Sequence, residues 1–199
     1  MKLVIATTNP GKLREIEGIL SGIPFTLETL KDYPPVAEPA ETGQTFGENA
    51  RLKALYYAAA TGELTVAEDS GLEIDALERA PGIHSARWHG TDYPLKFRKI
   101  RQLLQERGLT TSPARFVCHL VLARGRQLLY ETEETVEGRI AESPAGTEGF
   151  GYDPIFIPDG FEQTFGELSS AIKGKISHRS RAIVKIIRFL RDFTQFYGS

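Results

Sequence analysis

The sequence predicts an α/β fold in which helices flank one long mixed β-sheet. Short apolar runs typical of strands alternate along the chain with stretches whose apolar residues recur at helical spacing. The chain has 199 residues, of which 41% are hydrophobic and 25% are charged, enough to bury one globular core. Because no repeat, low-complexity tract or independent linker interrupts the pattern, we predict a single domain over residues 1–199.

The N-terminal elements are predicted by changes of periodicity. The apolar run at 3–6 is typical of a buried strand, and after the polar turn at 7–11 the apolar residues of 13–20 recur at helical spacing. The proline-containing stretch at 25–42 favours a short strand followed by a surface loop. The capping-box pattern Thr45–Glu48 then predicts the start of a second helix.

The middle of the chain is predicted to contain an acidic turn between two strands. The apolar run at 64–67 and the alternating pattern at 72–76 each predict a strand, with Glu68-Asp69-Ser70-Gly71 between them. Further strands are predicted at 116–123, 128–136 and 155–157, and further helices at 97–104 and from 177 onwards. Three aromatic residues near the C terminus are expected to pack in the core rather than at an interface: Phe193, Phe196 and Tyr197.

The composition disfavours nucleic-acid and membrane partners. The 24 basic and 26 acidic residues nearly cancel, to a net charge of −2, so a small-molecule ligand is expected instead. The single cysteine, Cys118, lies in an apolar run typical of a buried strand, which excludes an internal disulfide and suits a reducing compartment. No apolar stretch approaches the roughly 18 residues of a membrane span, so we expect a cytoplasmic protein.

A first candidate site is the segment Thr7-Thr8-Asn9-Pro10-Gly11-Lys12 between the first strand and the first helix. Backbone N–H groups at a helix start, small hydroxyls and one lysine together suit a triphosphate. The segment is not a Walker loop, because the first glycine of that motif is missing and Leu13 follows the lysine. An ordinary capped turn is the alternative.

A second candidate site is a group of carboxylates. Glu41, Glu48, Glu68 and Asp69 would repel one another unless a cation neutralised them, and Mg²⁺ prefers a few such oxygens together with water and substrate phosphate. A solvated acidic turn is the alternative for Glu68 and Asp69, and a capping role is favoured over a metal role for Glu48. Lys53 follows Asn49 by four residues, so we expect both on one helix face, with a solvated lysine as the alternative.

Two further segments suggest a bound nucleotide. In Gly149–Pro154, Phe150 is placed to stack on a purine and Asp153 to accept a ring N–H, unless the phenylalanine merely anchors the loop in the core. The segment Ser177–Arg181 crowds basic side chains into the first turn of a helix, where the helix dipole disfavours positive charge. An anionic or carbonyl-rich ligand there, near Lys173, would compensate, and a solvated basic turn is the alternative.

Taken together, these segments resemble the inosine triphosphate pyrophosphatase family, also described as XTP/dITP diphosphatases. Pro10 and Ala40 depart from the commonest pattern of that family. The resemblance implies two lobes around a long, twisted mixed sheet, an active-site cleft between the lobes, and a homodimer. The segments that carry it run through most of the chain: Ala6–Lys12, Glu41–Gly43, Phe46, Glu48–Ala50, Lys53–Ala54, Ala67–Leu72, Ala80–Ile83, Ser85–Arg87, Gly149–Pro154 and Ser177–Arg179.

The resemblance also implies a role for each matching residue. Asp69 would bind Mg²⁺ and activate water, while Lys12 and Lys53 would hold phosphate oxygens during catalysis. Glu41 would be a second metal ligand, supported by Glu68. The remaining residues would bind the nucleotide: Thr7, Thr8, Asn9, Pro10, Gly11, Ser70, Phe150, Gly151, Tyr152, Asp153, Lys173, His178 and Arg179.

The reaction implied by the resemblance is Mg²⁺-dependent hydrolysis of non-standard purine nucleotides (ITP, dITP and XTP) to a monophosphate and pyrophosphate. Hypoxanthine and xanthine offer an N1–H donor and an O6 acceptor, which suit Asp153 and a donor such as Arg179, whereas adenine has the reverse pattern. Two alternatives stay open. One is a related fold that hydrolyses standard or methylated pyrimidine nucleotides, and the other is a catalytically silent nucleotide sensor.

Overall fold

A computed structural model describes residues 1–197 of the chain and the side chains of residues 1–193. It contains six strands: β1 (Lys2–Ile5), β2 (Thr26–Thr29), β3 (Leu64–Ile74), β4 (Pro113–Arg124), β5 (Gln127–Ile140) and β6 (Phe156–Pro158). The α-helices are α1 (Pro10–Leu20), α2 (Phe46–Thr61), α3 (Tyr93–Gln105), α4 (Ser170–Ile176) and α5 (His178–Tyr197).

The six strands form one mixed sheet in the order β2-β1-β3-β4-β5-β6. Strand β1 pairs in parallel with β2 and β3, and β6 pairs antiparallel with β5. The predicted α/β fold with a mixed sheet is therefore confirmed. The active-site cleft stays a prediction.

The chain divides into two compact units, each with its own apolar core. Unit 1 comprises Met1–Asp69, Cys118–Glu134 and Arg179–Ser199, and unit 2 comprises Ser70–Val117 and Thr135–His178. In unit 1, Leu3 and Ile5 of β1 pack with Ile183 and Ile186 of α5. In unit 2 the core includes the buried side chains Leu72, Ile100, Phe116, Phe156 and Phe165.

The prediction of an acidic turn between two strands is wrong. A single strand, β3, runs without interruption from Leu64 to Ile74 and includes Glu68-Asp69-Ser70-Gly71. Glu68 and Asp69 are only 3% and 5% exposed, so the alternative of a solvated turn is also wrong. Buried carboxylates are stable in a strand only when cations and donors neutralise them, and distant segments of the chain supply these partners.

The helix starts follow local capping rules. Helix α1 begins at Pro10, earlier than predicted, because Asn9 Oδ1 accepts from the backbone N–H groups of Gly11 (2.9 Å) and Lys12 (3.1 Å). Helix α2 begins after Thr45, as predicted, and Thr45 Oγ1 accepts from the backbone N–H of Glu48. The Glu48 carboxylate accepts from the backbone N–H of Gln44 and not from that of Thr45, so the reciprocal bond of the predicted capping box is not formed.

The C-terminal half has longer elements than predicted. Strand β5 extends to Ile140 because its last residues pair with β6, with Gly138 opposite Pro158. Helix α4 was not predicted. Phe193 is partly exposed, and the side chains of Phe196 and Tyr197 lie outside the described residues. Among the described residues, no helix is both long and apolar enough to cross a membrane.

Candidate active site

A buried lysine of α2 lies between two acids in unit 1. Lys53 Nζ is 2.8 Å from Asp69 Oδ1 and 3.0 Å from Glu41 Oε1. Asn49, one helical turn before Lys53, donates from Nδ2 to Asp69 Oδ2 at 3.4 Å and accepts from the backbone N–H of Gly43 at 2.8 Å. The predicted common face of Asn49 and Lys53 is confirmed. Together the two side chains contact both carboxylate oxygens of Asp69 and so fix its orientation.

The electrostatics of this group suit proton transfer. Burial raises the pKa of Asp69 above its ordinary value, and the attraction of Lys53 and Lys12 only partly opposes this effect. The pKa of Lys53 is raised, because Asp69 and Glu41 outweigh the burial that would lower it. A carboxylate with a raised pKa binds a proton more tightly than an ordinary one, and this makes Asp69 a stronger base.

The same acids suit a small hard cation. Glu41 and Asp69 both contact the ammonium group of Lys53, so the two carboxylates already face one cation. Among the described residues, no group of three or more His, Cys, Asp or Glu side chains is arranged to hold a metal. Mg²⁺ needs only one or two protein carboxylates when water and substrate phosphate complete its coordination, so Glu41 and Asp69 fit this ion. Their role as ligands stays a prediction.

Glu68 makes its direct contacts in a second network of unit 1, which is coupled to Lys53 and Asp69 through longer-range charge interactions. Consecutive residues of a strand point to opposite faces, so Glu68 does not follow Asp69 towards Lys53. Its Oε1 is 2.8 Å from Lys12 Nζ, and its Oε2 is 3.5 Å from Arg179 Nη2 and accepts from Cys118 Sγ at 3.2 Å. The predicted metal role of Glu68 thus competes with two cations that already neutralise it.

Strong charge interactions hold this network together. Burial alone would raise the pKa of Glu68, but Arg179 and Lys12 lower it well below its ordinary value. Burial and the neighbouring carboxylate raise the pKa of the Cys118 thiol, which therefore stays protonated. Arg179 is 2% exposed, and its guanidinium also pairs with Glu15 of α1. Glu68 and Glu15 raise the pKa of Arg179 despite its burial.

Acidic side chains of the protein itself neutralise positive charge at the start of α5. His178 and Arg179 are 4% and 2% exposed, so the alternative of a solvated basic turn is wrong for these two residues, whereas Arg181 is exposed. Glu15 and Glu68 supply the negative charge near Arg179 that was expected from a ligand. His178 belongs to unit 2, where its ring stacks on Phe116 with 4.9 Å between centroids and 10° between planes. The adjacent residues His178 and Arg179 therefore belong to different networks of contacts.

The segment expected to contact phosphate is a capped turn at the start of α1. Asn9 satisfies two helix N–H groups, as the alternative interpretation expected, and Thr7 Oγ1 accepts from the Asn9 N–H at 3.2 Å. Thr8 Oγ1 donates to Glu38 at 3.1 Å, and Lys12 is partly exposed beside Glu68. Side-chain groups of Thr7, Thr8 and Lys12 are therefore the best candidates for phosphate contact. That role stays a prediction.

The predicted base-binding turn is built around Asp153 in unit 2. Asp153 is buried, and its Oδ2 accepts from the backbone N–H of Phe150 at 2.7 Å and from Lys173 Nζ at 2.5 Å. The Lys173 ammonium also lies 4.9 Å from the centre of the partly exposed Phe150 ring. Tyr152 is buried and donates to the backbone carbonyl of Ser85 at 3.0 Å. The structure thus brings Phe150 and Asp153 together, as the sequence predicted, and adds Lys173, which only the resemblance had placed in the same site.

Comparison with known proteins identifies the family. The model described as the Ham1 family matches residues 3–189. The chain belongs to the Ham1 family. A relative from an Exiguobacterium species, named dITP/XTP pyrophosphatase, is 46% identical over 186 residues, covering 94% of this chain and 95% of the relative. A second of the same name, from Bradyrhizobium diazoefficiens, is 44% identical over 198 residues, covering 93% of each chain.

Solved Ham1-family structures share the fold. The HAM1 protein from Coxiella burnetii has a TM-score of 0.87 at 34% identity, covering 96% of this chain and 99% of that chain. A structure from Mycobacterium abscessus named nucleoside-triphosphatase / dITP/XTP pyrophosphatase has a TM-score of 0.73 at 38% identity, covering 94% of this chain and 98% of that chain.

The candidate site of this Ham1-family chain contains contacts that the sequence did not predict. Glu15 follows Lys12 by three residues on α1, a spacing that places both on one helix face. The sequence therefore contained a signal that Glu15 lies near Lys12. Cys118 was expected to be a buried strand residue, and this is confirmed, but its contact with Glu68 had no local signal.

Gly149 is expected to be essential to the shape of the base-binding turn in this Ham1-family protein. Its φ is +72°, and a Cβ there would overlap the carboxylate of Asp153. Gly149→Ala should therefore destabilise the protein by more than the roughly 1–2 kcal/mol of left-handed strain alone, and weaken nucleotide binding by displacing Asp153. Chemical denaturation and the KM for a nucleotide measure the two effects.

Gly160 provides the matched control for this substitution. Its φ is +84°, but a Cβ there would have nothing within 4 Å. Gly160→Ala therefore introduces comparable backbone strain without the collision. Equal losses of stability in the two variants, with an unchanged KM in both, would contradict the importance of the close approach between Gly149 and Asp153.

Proposed function

We propose that this protein is a nucleoside triphosphate pyrophosphatase that hydrolyses ITP, dITP and XTP to the monophosphate and pyrophosphate. The observation that carries the proposal is the buried Asp69, oriented by Lys53 and Asn49 beside the second acid Glu41. Such a group suits activation of water next to a metal-bound phosphate. The names of the relatives, dITP/XTP pyrophosphatase, support the same activity and substrates.

In the proposed mechanism, Asp69 removes a proton from a water molecule. The water oxygen then bonds to the α-phosphorus, and the bond from this phosphorus to the oxygen bridging the α- and β-phosphates breaks, so pyrophosphate leaves. Lys12 and Lys53 neutralise the negative charge that develops on the leaving group, while Thr7–Gly11 and Ser70 position the triphosphate. Bound Mg²⁺, held by Glu41 and Asp69, would supply Lewis-acid stabilisation of the phosphate oxygens.

Glu68 and Arg179 support this chemistry indirectly, through their effect on Lys12. The pairing of Glu68 with Lys12 orients that lysine, and Arg179 keeps Glu68 ionised. We therefore favour an orienting role for Glu68 over the metal-supporting role implied by the resemblance. Since Arg179 is paired with Glu15 and Glu68, we also favour a different donor to the base.

Selectivity for the base is assigned to the turn around Asp153. The carboxylate accepts the N1–H of hypoxanthine or xanthine, and the ammonium of Lys173 beside it donates to O6. Phe150 stacks on the purine ring, and Gly151, Tyr152 and His178 shape its surroundings. Adenine presents a ring acceptor and an amino donor at these positions. It would therefore leave buried groups unpaired and bind far more weakly.

The direct test compares pyrophosphate release from ITP, XTP and dITP with release from ATP, GTP, CTP and UTP in the presence of Mg²⁺. We expect kcat/KM for the first three to exceed that for ATP by about 10²-fold or more, in the range that buried hydrogen bonds provide. Since the proposed contacts use the base and triphosphate, ribose and deoxyribose forms should both react. Equal rates with ATP would refute the specificity, and a requirement for pyrimidines would favour the related pyrimidine-nucleotide hydrolases.

The alternative of a silent nucleotide sensor is less well supported. Binding alone does not require a base, yet Asp69 is buried at a cost and has a raised pKa. Nucleotide binding without any release of pyrophosphate would establish the sensor instead.

We also propose that the protein acts in the cytoplasm as a homodimer, with a nucleotide as its partner and no nucleic acid. The net charge of −2 and the single buried cysteine support the compartment and the absence of nucleic acid. The family resemblance supports the dimer. Sedimentation equilibrium that gives the mass of one chain would contradict it.

A further inference from the structure

Helix α3 carries a lysine, Lys96, that is completely buried in unit 2. In the described part of the chain, its ammonium group is surrounded by backbone carbonyls and aromatic rings. Lys96 Nζ donates to the carbonyls of Ala86 at 2.7 Å and Ser85 at 3.1 Å. It also lies 4.3 Å from the centre of the Tyr93 ring and 5.7 Å from that of Tyr152. Burying a charge among such groups is costly, so this arrangement requires an explanation.

The carbonyl of Ser85 connects Lys96 to the base-binding turn. The same carbonyl oxygen accepts a hydrogen bond from the Tyr152 hydroxyl at 3.0 Å. The Ser85 hydroxyl in turn accepts from the backbone N–H of Leu72 at 2.9 Å and donates to the carbonyl of Gly82 at 2.6 Å. Ser85 therefore joins three segments: the Lys96 helix, the Tyr152 turn, and strand β3 just after Ser70.

Tyr152 connects these hydrogen bonds of Ser85 to Phe150 and Asp153, the residues proposed to contact the base. Its ring packs edge-on against Tyr93, with 5.2 Å between centroids and 83° between planes. Tyr152 immediately precedes Asp153, whose carboxylate holds the backbone N–H of Phe150 and the ammonium of Lys173. A displacement of Tyr152 would therefore move both the stacking ring and the acceptor for the base.

We propose that Lys96 is a positioning residue for base selectivity, which acts through Ser85 and Tyr152 on the turn Phe150–Asp153. This inference rests on the proposed function. An ammonium group can donate to the two carbonyls and interact with the two ring faces at once, which a neutral side chain of similar length cannot. Burial lowers the pKa of Lys96, so the ammonium form is less favoured there than in water.

The test is the substitution Lys96→Met, which keeps the length and apolar stem of the side chain but removes the charge and its donors. We expect KM for ITP to rise about tenfold and the ratio of kcat/KM for ITP over ATP to fall by a similar factor. We expect kcat for ITP to change less than about twofold, because Asp69, Lys53 and Lys12 are untouched. Lys96→Arg restores a cation and should recover part of the selectivity.

Lys99→Met provides the matched control on the same helix. Lys99 is partly exposed and, among the residues that the structure describes, donates only to the neighbouring Gln102 at 3.3 Å, so its substitution should change neither KM nor the selectivity ratio. If Lys96→Met does not fold, Tyr152→Phe removes the other hydrogen bond to the Ser85 carbonyl. It should change KM and the ratio in the same direction.

The outcomes separate this inference from the proposed function. A wild-type protein that does not prefer ITP to ATP would refute the proposed function itself. A wild type with that preference, combined with a Lys96→Met variant that melts at a lower temperature but keeps its KM and selectivity ratio, would refute only the role of Lys96. In that case Lys96 would contribute to stability alone.

Discussion

Asp69→Asn is expected to lower kcat for pyrophosphate release from ITP by about 10²–10⁴-fold, the usual contribution of a general base. The asparagine keeps the size of the side chain and can still contact Lys53, but it cannot take a proton from water. Release of pyrophosphate, followed at saturating ITP and Mg²⁺, measures the effect. Undiminished activity would refute the role of Asp69 as the base.

The same variant should unfold at nearly the same temperature as the wild type. Because the pKa of Asp69 is raised in the folded protein, its protonated form is favoured by folding and its ionised form opposes folding at neutral pH. A neutral asparagine removes that cost, but its single acceptor oxygen leaves either Lys53 or Asn49 without its partner, so the midpoint of thermal unfolding should change little. Asp192→Asn, on an exposed side chain of α5, is the control and should leave both activity and stability unchanged. A large drop in the melting temperature of Asp69→Asn would mean that lost activity reports unfolding.

Glu68→Gln is expected to cause the largest loss of stability, about 3–5 kcal/mol, as when one member of a buried ion pair is removed. The carboxylate is 3% exposed and pairs with both Lys12 and Arg179, so its loss leaves Lys12 without this acid and the buried Arg179 with Glu15 alone. Urea denaturation at neutral pH measures the free energy of unfolding. Glu131→Gln, which breaks the more exposed pair with Arg51, should cost at most about 1 kcal/mol.

The pH dependence of stability provides an independent check on Glu68. Its pKa in the folded protein lies below the ordinary value of 4.5, so its contribution to stability is fully present above that value. As the pH falls below 4.5, the unfolded chain binds a proton that the folded protein does not, and this contribution is lost. Glu68→Gln should lack that part of the acid-induced decrease. Identical acid profiles in wild type and variant would show that Glu68 is not held ionised as described.

The elements that the sequence predicted well are those with local signals. Helix α2 begins after Thr45, as its capping pattern predicted. In contrast, β3 was divided into two strands because Glu68-Asp69-Ser70-Gly71 has the composition of a turn. The cations that stabilise these acids in a strand come from residues 12, 53 and 179, and no local pattern shows that they meet there.

The sequence predicted which residues belong to the candidate site better than it predicted which of them contact one another. The sequence indicated that Asn49 shares a helix face with Lys53 and that Phe150 lies near Asp153. It did not indicate that Arg179 belongs with Glu15, because that contact joins the start of α5 to α1 across most of the chain. Lys96 was not singled out either, since a lysine on a helix is ordinarily exposed and its carbonyl partners are backbone groups.

The pairing of Lys12, Lys53 and Arg179 with nearby carboxylates has a consequence for what the resting protein attracts. Opposite charges that neutralise each other within a few ångströms leave only a weak electric field for passing anions. Inorganic phosphate would therefore meet, at these three side chains, cationic groups that carboxylates already neutralise. An anion that binds Lys12 or Lys53 has to replace a carboxylate there, so charge alone selects no ligand and contacts beyond the phosphates must supply the discrimination.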